Sequence, residues 1–406
     1  MPVAAPSRRR EQSEARSAPN SISPREIETA LQQRVDSLVP ELLPAARADG
    51  RFWVVGSVDG EPGQTLKINR SGARQGCWTD FNAGAHPDAR SGDMLKLIAI
   101  VRFGGWSQDG AKAKSIGWAK SWLGWDSLDP DRLETVRREA VARAAANDAA
   151  AAEELKAKRT QAEWLWNGAI PIARVERRES GFLIVQRTPA FDYLAARLPG
   201  FEALVLARGR VPGSLRYRPD VWCRERRGKH PAMIACIMGL NDGSLLGVHR
   251  TYLDISRWDH ATRRGPVSKA KVENPKLSLG HYAGGCIPLW KGASPATLRE
   301  IPAGTAVYAS EGIEDGLSVA LAAPELRVVA GVALANLGAL ALPEQAGELV
   351  LIGQNDPIGS KAVDAFERVV ARQQAAGRRV RLMFPKPEYK DFNDQLLGKP
   401  IAAARP

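Results

Sequence analysis

Apolar residues change their period from segment to segment along this chain, and each period names an element. Over residues 25–45, Ile27, Leu31, Val35, Leu38 and Leu42 recur near one helical face. Residues 52–58 and 64–68 instead alternate as strands do, with Asp-Gly-Glu-Pro-Gly as the turn between them. A third strand signal ends at Phe81, and after a Gly-rich loop Ser91 or Asp93 can cap a helix starting near Met94. From Asp131 to Trp166 there is neither Gly nor Pro, and the Ala, Glu and Arg content predicts one long, mostly exposed helix. Residues 189–197 form an amphipathic pattern with Pro189 at its start. Strand candidates follow at 214–217, 232–237 and 245–253, the last two joined by Asn241-Asp242-Gly243, a hairpin turn. Two short apolar runs, ending at Ser310 and Ile352, lack alternation and each leads into a helical pattern. Strands buried on both faces read this way, and they belong to parallel sheets.

With 406 residues the chain has room for two or three domains. The expected boundaries are a disordered basic tail over 1–22, an α+β domain over 23–127, a helical linker over 128–167, a second α+β domain over 168–300, and an α/β domain over 301–406. A net charge of +12 and a pI near 9.7 favour a polyanionic partner, nucleic acid in the first place, over an ordinary basic surface. No run of 18 apolar residues is present, and Arg8-Arg9-Arg10 is not followed by an apolar stretch. The expectation is a cytoplasmic protein with no membrane partner. Cys77, Cys223, Cys236 and Cys286 form no C-x-x-C, and Cys223, His230, Cys236 and His249 fit no zinc spacing. Buried thiols, no disulfides and no zinc are expected.

Candidate chemistry lies near the C-terminal end. Residues 309–316 read Ala-Ser-Glu-Gly-Ile-Glu-Asp-Gly, and residues 353–359 read Gly-Gln-Asn-Asp-Pro-Ile-Gly. Each follows one of the unalternating apolar runs. Acidic side chains at the ends of neighbouring parallel strands converge on one crevice, and hard oxygens on such a rim suit Mg²⁺ when phosphate completes the shell. A third acidic string, Lys390-Asp391-Phe392-Asn393-Asp394, follows at a spacing that suits one more strand-and-helix unit.

These three strings, in this order, resemble the Toprim domain of primases, topoisomerases and some nucleases. The resemblance implies a Rossmann-like parallel sheet with helices on both faces, preceded here by α+β domains. It also implies roles. Glu311 matches the Glu that acts as general acid/base or shapes the metal site, and Asp356 matches the second Asp of a metal-binding pair. Asp391 matches the first acid of the last string. Asp394 stands one place beyond the usual second carboxylate, where this chain has Asn393. Gln354 occupies the position of the first Asp and would offer Mg²⁺ (or Mn²⁺) a neutral oxygen.

Residues 50–125, with their hairpin, Trp-x-Asp-Phe and Gly-Asp-x-Leu-x-Leu-Ile, resemble the N-terminal domain of phage and plasmid primases. That domain is often a zinc ribbon, but here Cys77 is its only cysteine. The strand pair ending in His-Arg-Thr-Tyr-Leu and the Lys-rich loop after it resemble the subdomain that precedes Toprim in such primases. There Arg250, Lys269, Lys271 and Lys276, with Lys390 from the third string, would meet template and triphosphate. The expected function is therefore Mg²⁺-dependent synthesis of short RNA primers on single-stranded DNA for a phage, plasmid or integrated element. Nucleoside triphosphates would be the substrate, and a replicative helicase would act in trans. A Toprim nuclease and a catalytically weak DNA-binding factor stay open as alternatives, the latter because of Gln354.

Overall fold

The computed structural model describes residues 22–81, 89–127, 130–179, 183–240 and 242–401. The basic tail, the Gly-rich loop after Phe81 and Asn241 of the expected hairpin turn lie outside them. The chain divides into two compact units, residues 1–154 and 155–406, with the boundary inside one long helix.

The first unit opens with α1 (Pro24–Gln33), which carries a full capping box from Ser23 and Glu26, and α2 (Val35–Leu42). The apolar face expected over 25–45 is thus split in two at Arg34. Strands β1 (Arg47–Asp49), β2 (Phe52–Val55), β3 (Leu66–Asn69), β4 (Trp78–Asp80) and β5 (Ser91–Gly92) form an antiparallel sheet in sequence order. Helices α3 (Met94–Phe103), α4 (Ala111–Trp122) and the long α5 (Pro130–Asn167) follow. One face of the sheet sends Val55, Leu66, Ile68 and Trp78 into a core with Leu31, Leu38 and Leu97. Asp93 caps α3 by accepting from the Lys96 N–H, and Glu28 accepts from the N–H groups of Met94 and Leu95. Burial, with Asp93 beside it, raises the Glu28 carboxyl to about 7.

The second unit contains two large sheets joined through a common core, and a separate two-stranded hairpin. After β6 (Ile170–Pro171) and the hairpin β7 (Ala173–Arg177)–β8 (Leu183–Arg187) come α6 (Pro189–Arg197) and α7 (Phe201–Arg208). The first large sheet is antiparallel and runs β12-β11-β10-β9-β6. It uses β9 (Leu215–Cys223), β10 (Gly228–Met238), β11 (Leu245–Asp254) and β12 (Ser268–Lys269), with β13 (Lys276–Gly280) also paired to β11.

The second large sheet runs β14-β16-β15-β17-β18. Its members are β14 (Ile287–Trp290), β15 (Thr305–Ser310), β16 (Arg327–Ala330), β17 (Ala346–Ile352) and β18 (Val380–Met383). All pairings are parallel except that of the edge strand β14. Helices α8 (Ile313–Ala322), α9 (Leu334–Leu337), α10 (Lys361–Ala375) and α11 (Phe392–Leu396) complete it. Side chains leave each strand alternately to two cores. Val328, Ala330 and Ile352 join Ile313 and Leu317 of α8, while Val329, Leu349 and Leu351 join Val369 of α10. Burial on both faces is the reason these strands carry no polar alternation. Gly316 is needed where α8 lies on the sheet, because a Cβ there would stand 2.5 Å from the Ser310 hydroxyl oxygen and 2.6 Å from Leu289.

Cys223, Cys236 and Cys286 are buried free thiols and Cys77 is half-buried; burial pushes the Cys236 thiol up to about 12. Among the described residues no helix is long and apolar enough to cross a membrane.

Candidate active site

Strand β15 lies between β16 and β17, so the connections leave its two edges in opposite directions and open a crevice at the strand ends. Glu311 stands immediately after β15, and Gln354 and Asp356 stand just after β17. All three line one cleft of about 310 Å³, walled also by Leu334, Phe366, Leu382 and Phe384. The geometry requires Gly353. A Cβ there would stand 2.3 Å from the Phe384 ring. Burial and then the neighbouring Asp356 raise the Glu311 carboxyl above its ordinary range, against the Leu334 N–H, Lys276 and Lys390. The Lys390 ammonium is 4.0 Å from Asp356 Oδ1.

The third acidic string is tied to the second by a residue the sequence did not single out. The Asn355 N–H donates to the Lys390 carbonyl at 2.8 Å, and its side-chain amide donates to the carbonyls of Lys386 and Tyr389 at 2.9 and 2.8 Å. Lys390 is thereby held beside Asp356. Asp391, however, accepts from the Asp394 N–H at 2.7 Å and caps α11. A free N–H at a helix start is a strong partner for a carboxylate. Asn393 is buried, donating to the Arg197 carbonyl at 2.8 Å and to Ser318 Oγ at 3.2 Å. The four expected metal ligands are therefore not one cluster. Gln354 and Asp356 share the cleft with Glu311, whereas Asp391 and Asp394 sit at the first turn of α11. Among the described residues, no three His, Cys, Asp or Glu side chains stand together as a metal cage would require.

The expected basic residues also separate. Successive side chains on a strand point to opposite faces. On β11, His249 and Thr251 pair with Ser278 and Lys276 on one face, while Arg250 pairs with Ile234 and Leu277 on the other. That second face packs against α5 through Val248, Tyr252, Ala162 and Leu165. Arg250 is thus turned away from Lys276 and from the crevice side. Lys276 is not free for phosphate. Its ammonium donates to Glu314 Oε2 at 2.9 Å. Glu314, on the first turn of α8 and 6% exposed, also accepts from the Tyr193 hydroxyl. Burial alone would raise the Glu314 carboxyl, but Lys276 and Tyr193 outweigh it and hold it at about 2. Lys269 has an exposed side chain, and partial desolvation together with the like charge of Lys276 lowers its pKa. Lys271 is exposed beside Asp254.

Next to Glu314, Asp315 accepts from the Phe392 N–H at 2.8 Å. Burial, then Asp391, raise its carboxyl to about 7. Sequence reasoning passed over Glu314, Asp315, Tyr193 and Asn355. The signal for the first two was present, since two acids on an otherwise apolar helix must find partners or lose their charge.

Residues 306–400 match the Toprim domain family. This is a Toprim-domain protein. The preceding residues, 156–289, match a family described as a domain of unknown function, DUF7146. Among solved structures, the chain is similar to the primase fragment of the bacteriophage T7 primase-helicase protein, at 12% identity and a TM-score of 0.25. That likeness covers 41% of this chain and 62% of the T7 chain. It is also similar to a DNA primase domain from Pseudomonas aeruginosa, at 14% identity and a TM-score of 0.30, over 52% of this chain and 73% of that one. Likenesses this loose carry no functional weight. No curated protein matches the chain significantly. The Toprim assignment places Glu311, Gln354 and Asp356 at the strand ends of a recognised domain.

Proposed function

We propose that this Toprim protein is a primase-like nucleotidyltransferase that makes short RNA primers on single-stranded DNA. The observation that carries the reading is the Toprim crevice, where Glu311 and Asp356 share one cleft beside Lys390. At the strand ends the cleft offers hard oxygens, the Glu311 and Asp356 carboxylates and the Gln354 amide, and Glu367 and Gln374 of α10 also line it. The strand-end oxygens fit Mg²⁺ held by one or two carboxylates with phosphate and water completing its shell, rather than a permanent protein cage. Asp356 and Gln354, which share the cleft with Glu311, would hold the ion, and when bound it would neutralise triphosphate charge.

The chain's own groups would do the rest. Glu311, with its raised pKa, is suited to take the proton from the primer 3′-hydroxyl. Lys390 would offset phosphate charge at the cleft, and the exposed Lys269 and Lys271 would meet the nucleic-acid backbone. Lys276 would act indirectly, by holding α8 through Glu314. In the first unit, the outer sheet face offers a platform for single-stranded DNA. Phe81 is 73% exposed, Lys67 Nζ lies 5.9 Å from the rings of both Phe52 and Phe81, and the Arg51 guanidinium is 5.2 Å from Phe52. Exposed aromatic rings interleaved with cations bind single strands by stacking and charge. A replicative helicase in trans and a mobile-element host fit this reading.

A second reading, a DNA-binding factor with weak or no catalysis, is favoured by Gln354 and by the dispersal of Asp391 and Asp394 from the cleft. Incubation with single-stranded DNA, labelled nucleoside triphosphates and Mg²⁺ separates the readings by product. Labelled oligoribonucleotides support primer synthesis, shortened DNA would indicate a nuclease, and retained complexes without either product would support the binding factor.

A further inference from the structure

The second unit contains another cavity, of about 320 Å³, that shares no lining residue with the Glu311 cleft. It is bounded by the end of α5, the segment before β9, β10, the edge strand β14 and its neighbour β16. Its walls are mostly apolar, and no Asp or Glu lines it. Three guanidinium groups do, from Arg210, Arg299 and Arg327. None is paired with a carboxylate among the described residues. Arg327 is 5% exposed. One of its Nη groups donates to the Ser294 and Ala296 carbonyls at 3.0 Å, while its Nε has no partner. Arg210 makes only a long 3.4 Å contact to the Gly292 carbonyl and lies 5.7 Å from the Trp290 ring. Arg299 donates to the Asp242 carbonyl at 3.2 Å. Two indoles line it: Trp166, one face of which already carries the Arg216 guanidinium 3.9 Å from its ring centre, and Trp290, pinned by its Nε1–H to the Pro324 carbonyl at 2.9 Å.

Arginines drawn together without an acid repel one another, and burial followed by the neighbouring Arg210 lowers the pKa of Arg327. A planar fork of N–H donors beside aromatic walls matches an anion carried on a flat ring. The volume suits a small molecule. We propose that this cavity binds a nucleoside phosphate, with the base against Trp166 and Trp290 and the phosphate at Arg210 and Arg327. The site is separate from the Toprim crevice and needs no divalent ion.

The test is calorimetric titration of the full chain with AMP in the presence of EDTA and without DNA. Adenosine and inorganic phosphate serve as separate probes of ring and anion. Gly213 lines the cavity, and a Cβ there meets nothing within 4 Å, so the backbone accepts a side chain at this position and Gly213→Phe serves to block the space, with a wild-type circular dichroism spectrum as the control for folding. AMP should bind the wild type. Gly213→Phe and Arg210→Ala should each weaken it about tenfold or more, and adenosine or phosphate alone should bind at least about tenfold less tightly. Glu311→Gln should bind as wild type does, which separates this site from the primase reading. The proposal is overturned if the wild type takes up no AMP at millimolar concentration, if Gly213→Phe and Arg210→Ala bind normally, or if either half-molecule binds as well as AMP.

Discussion

Replacing Lys276 by Met removes the ammonium that stands 2.9 Å from Glu314 and leaves a carboxylate whose side chain is 8% exposed with only the Tyr193 hydroxyl as partner. Breaking one side of a buried ion pair costs about 3–5 kcal/mol. The Lys276 side chain is 37% exposed, so solvent screens part of the attraction and the lower end applies. For a unit of this size, about 3 kcal/mol lowers the melting temperature by about 6–12 °C. The pH dependence has a definite sign. In the wild type the Glu314 carboxyl is held at about 2, below its ordinary 4.5. Its contribution is therefore complete above about pH 4.5 and is lost as pH falls toward 2. In the variant, burial is opposed chiefly by the Tyr193 hydroxyl and raises that carboxyl, so at pH 5 the acid takes up a proton more readily and escapes part of the penalty. Scanning calorimetry at pH 8 and pH 5 should show the larger deficit at pH 8. Adding Glu314→Gln should recover at least half of it, because the orphaned charge is gone. A loss below about 1 kcal/mol at pH 8, or a double variant as unstable as the single one, would refute the reasoning.

Three further outcomes are expected. Gln354→Asp places a charge within the cleft and should lower the Mg²⁺ concentration that saturates activity; the gain is about 1–4 kcal/mol before repulsion among the acids is subtracted, and an unchanged titration would remove residue 354 from the metal. The Asp315 carboxyl is raised to about 7, so its favourable protonation is lost as pH rises through 7. Because that loss accrues from the ordinary 3.8 up to about 7, Asp315→Asn, which keeps the acceptor for the Phe392 N–H, should raise the melting temperature relative to wild type most at pH 8, less at pH 5 and least below about pH 4. A drop at pH 8 would mean that the ionised acid is needed. Phe81→Ala should weaken binding of a single-stranded oligonucleotide by about 1–3 kcal/mol without altering the fold, as measured by fluorescence anisotropy; unaltered affinity would clear the outer sheet face of that role.

The parallel strands β15 and β17 were legible because burial on both faces leaves an unbroken apolar run, and the long α5 because nothing in 131–166 interrupts a helix. Glu311, Gln354 and Asp356 followed from those strand ends. Where the structure separates residues that the sequence put together, the cause is that a residue type does not declare which partner it will find. Asp391 is equally suited to a cation or to the open end of a helix, and the N–H groups of α11 are nearer. Arg250 and Lys276 were grouped by the resemblance to the subdomain that precedes Toprim in primases. Strand parity and the pairing of β11 with β10 and β13 set them on opposite faces of the sheet, and the Lys276–Glu314 contact shows which face meets α8. Glu314 and Asp315 could have been flagged as buried acids, but their partners come from Tyr193, Lys276 and Phe392, far away in the chain. The break between α1 and α2 at Arg34 left no mark in the apolar spacing, which continues through it.

The most direct measurement compares wild type and Glu311→Gln for incorporation of labelled nucleoside triphosphates into RNA on a single-stranded DNA template, with and without Mg²⁺. The wild type should yield short RNA only with the ion. Glu311→Gln should keep the wild-type circular dichroism spectrum and lose at least about 100-fold in rate, the scale of a general acid/base. RNA synthesis at full rate by Glu311→Gln, or none by the wild type on any template, would contradict the assignment of the Toprim crevice as a primase centre.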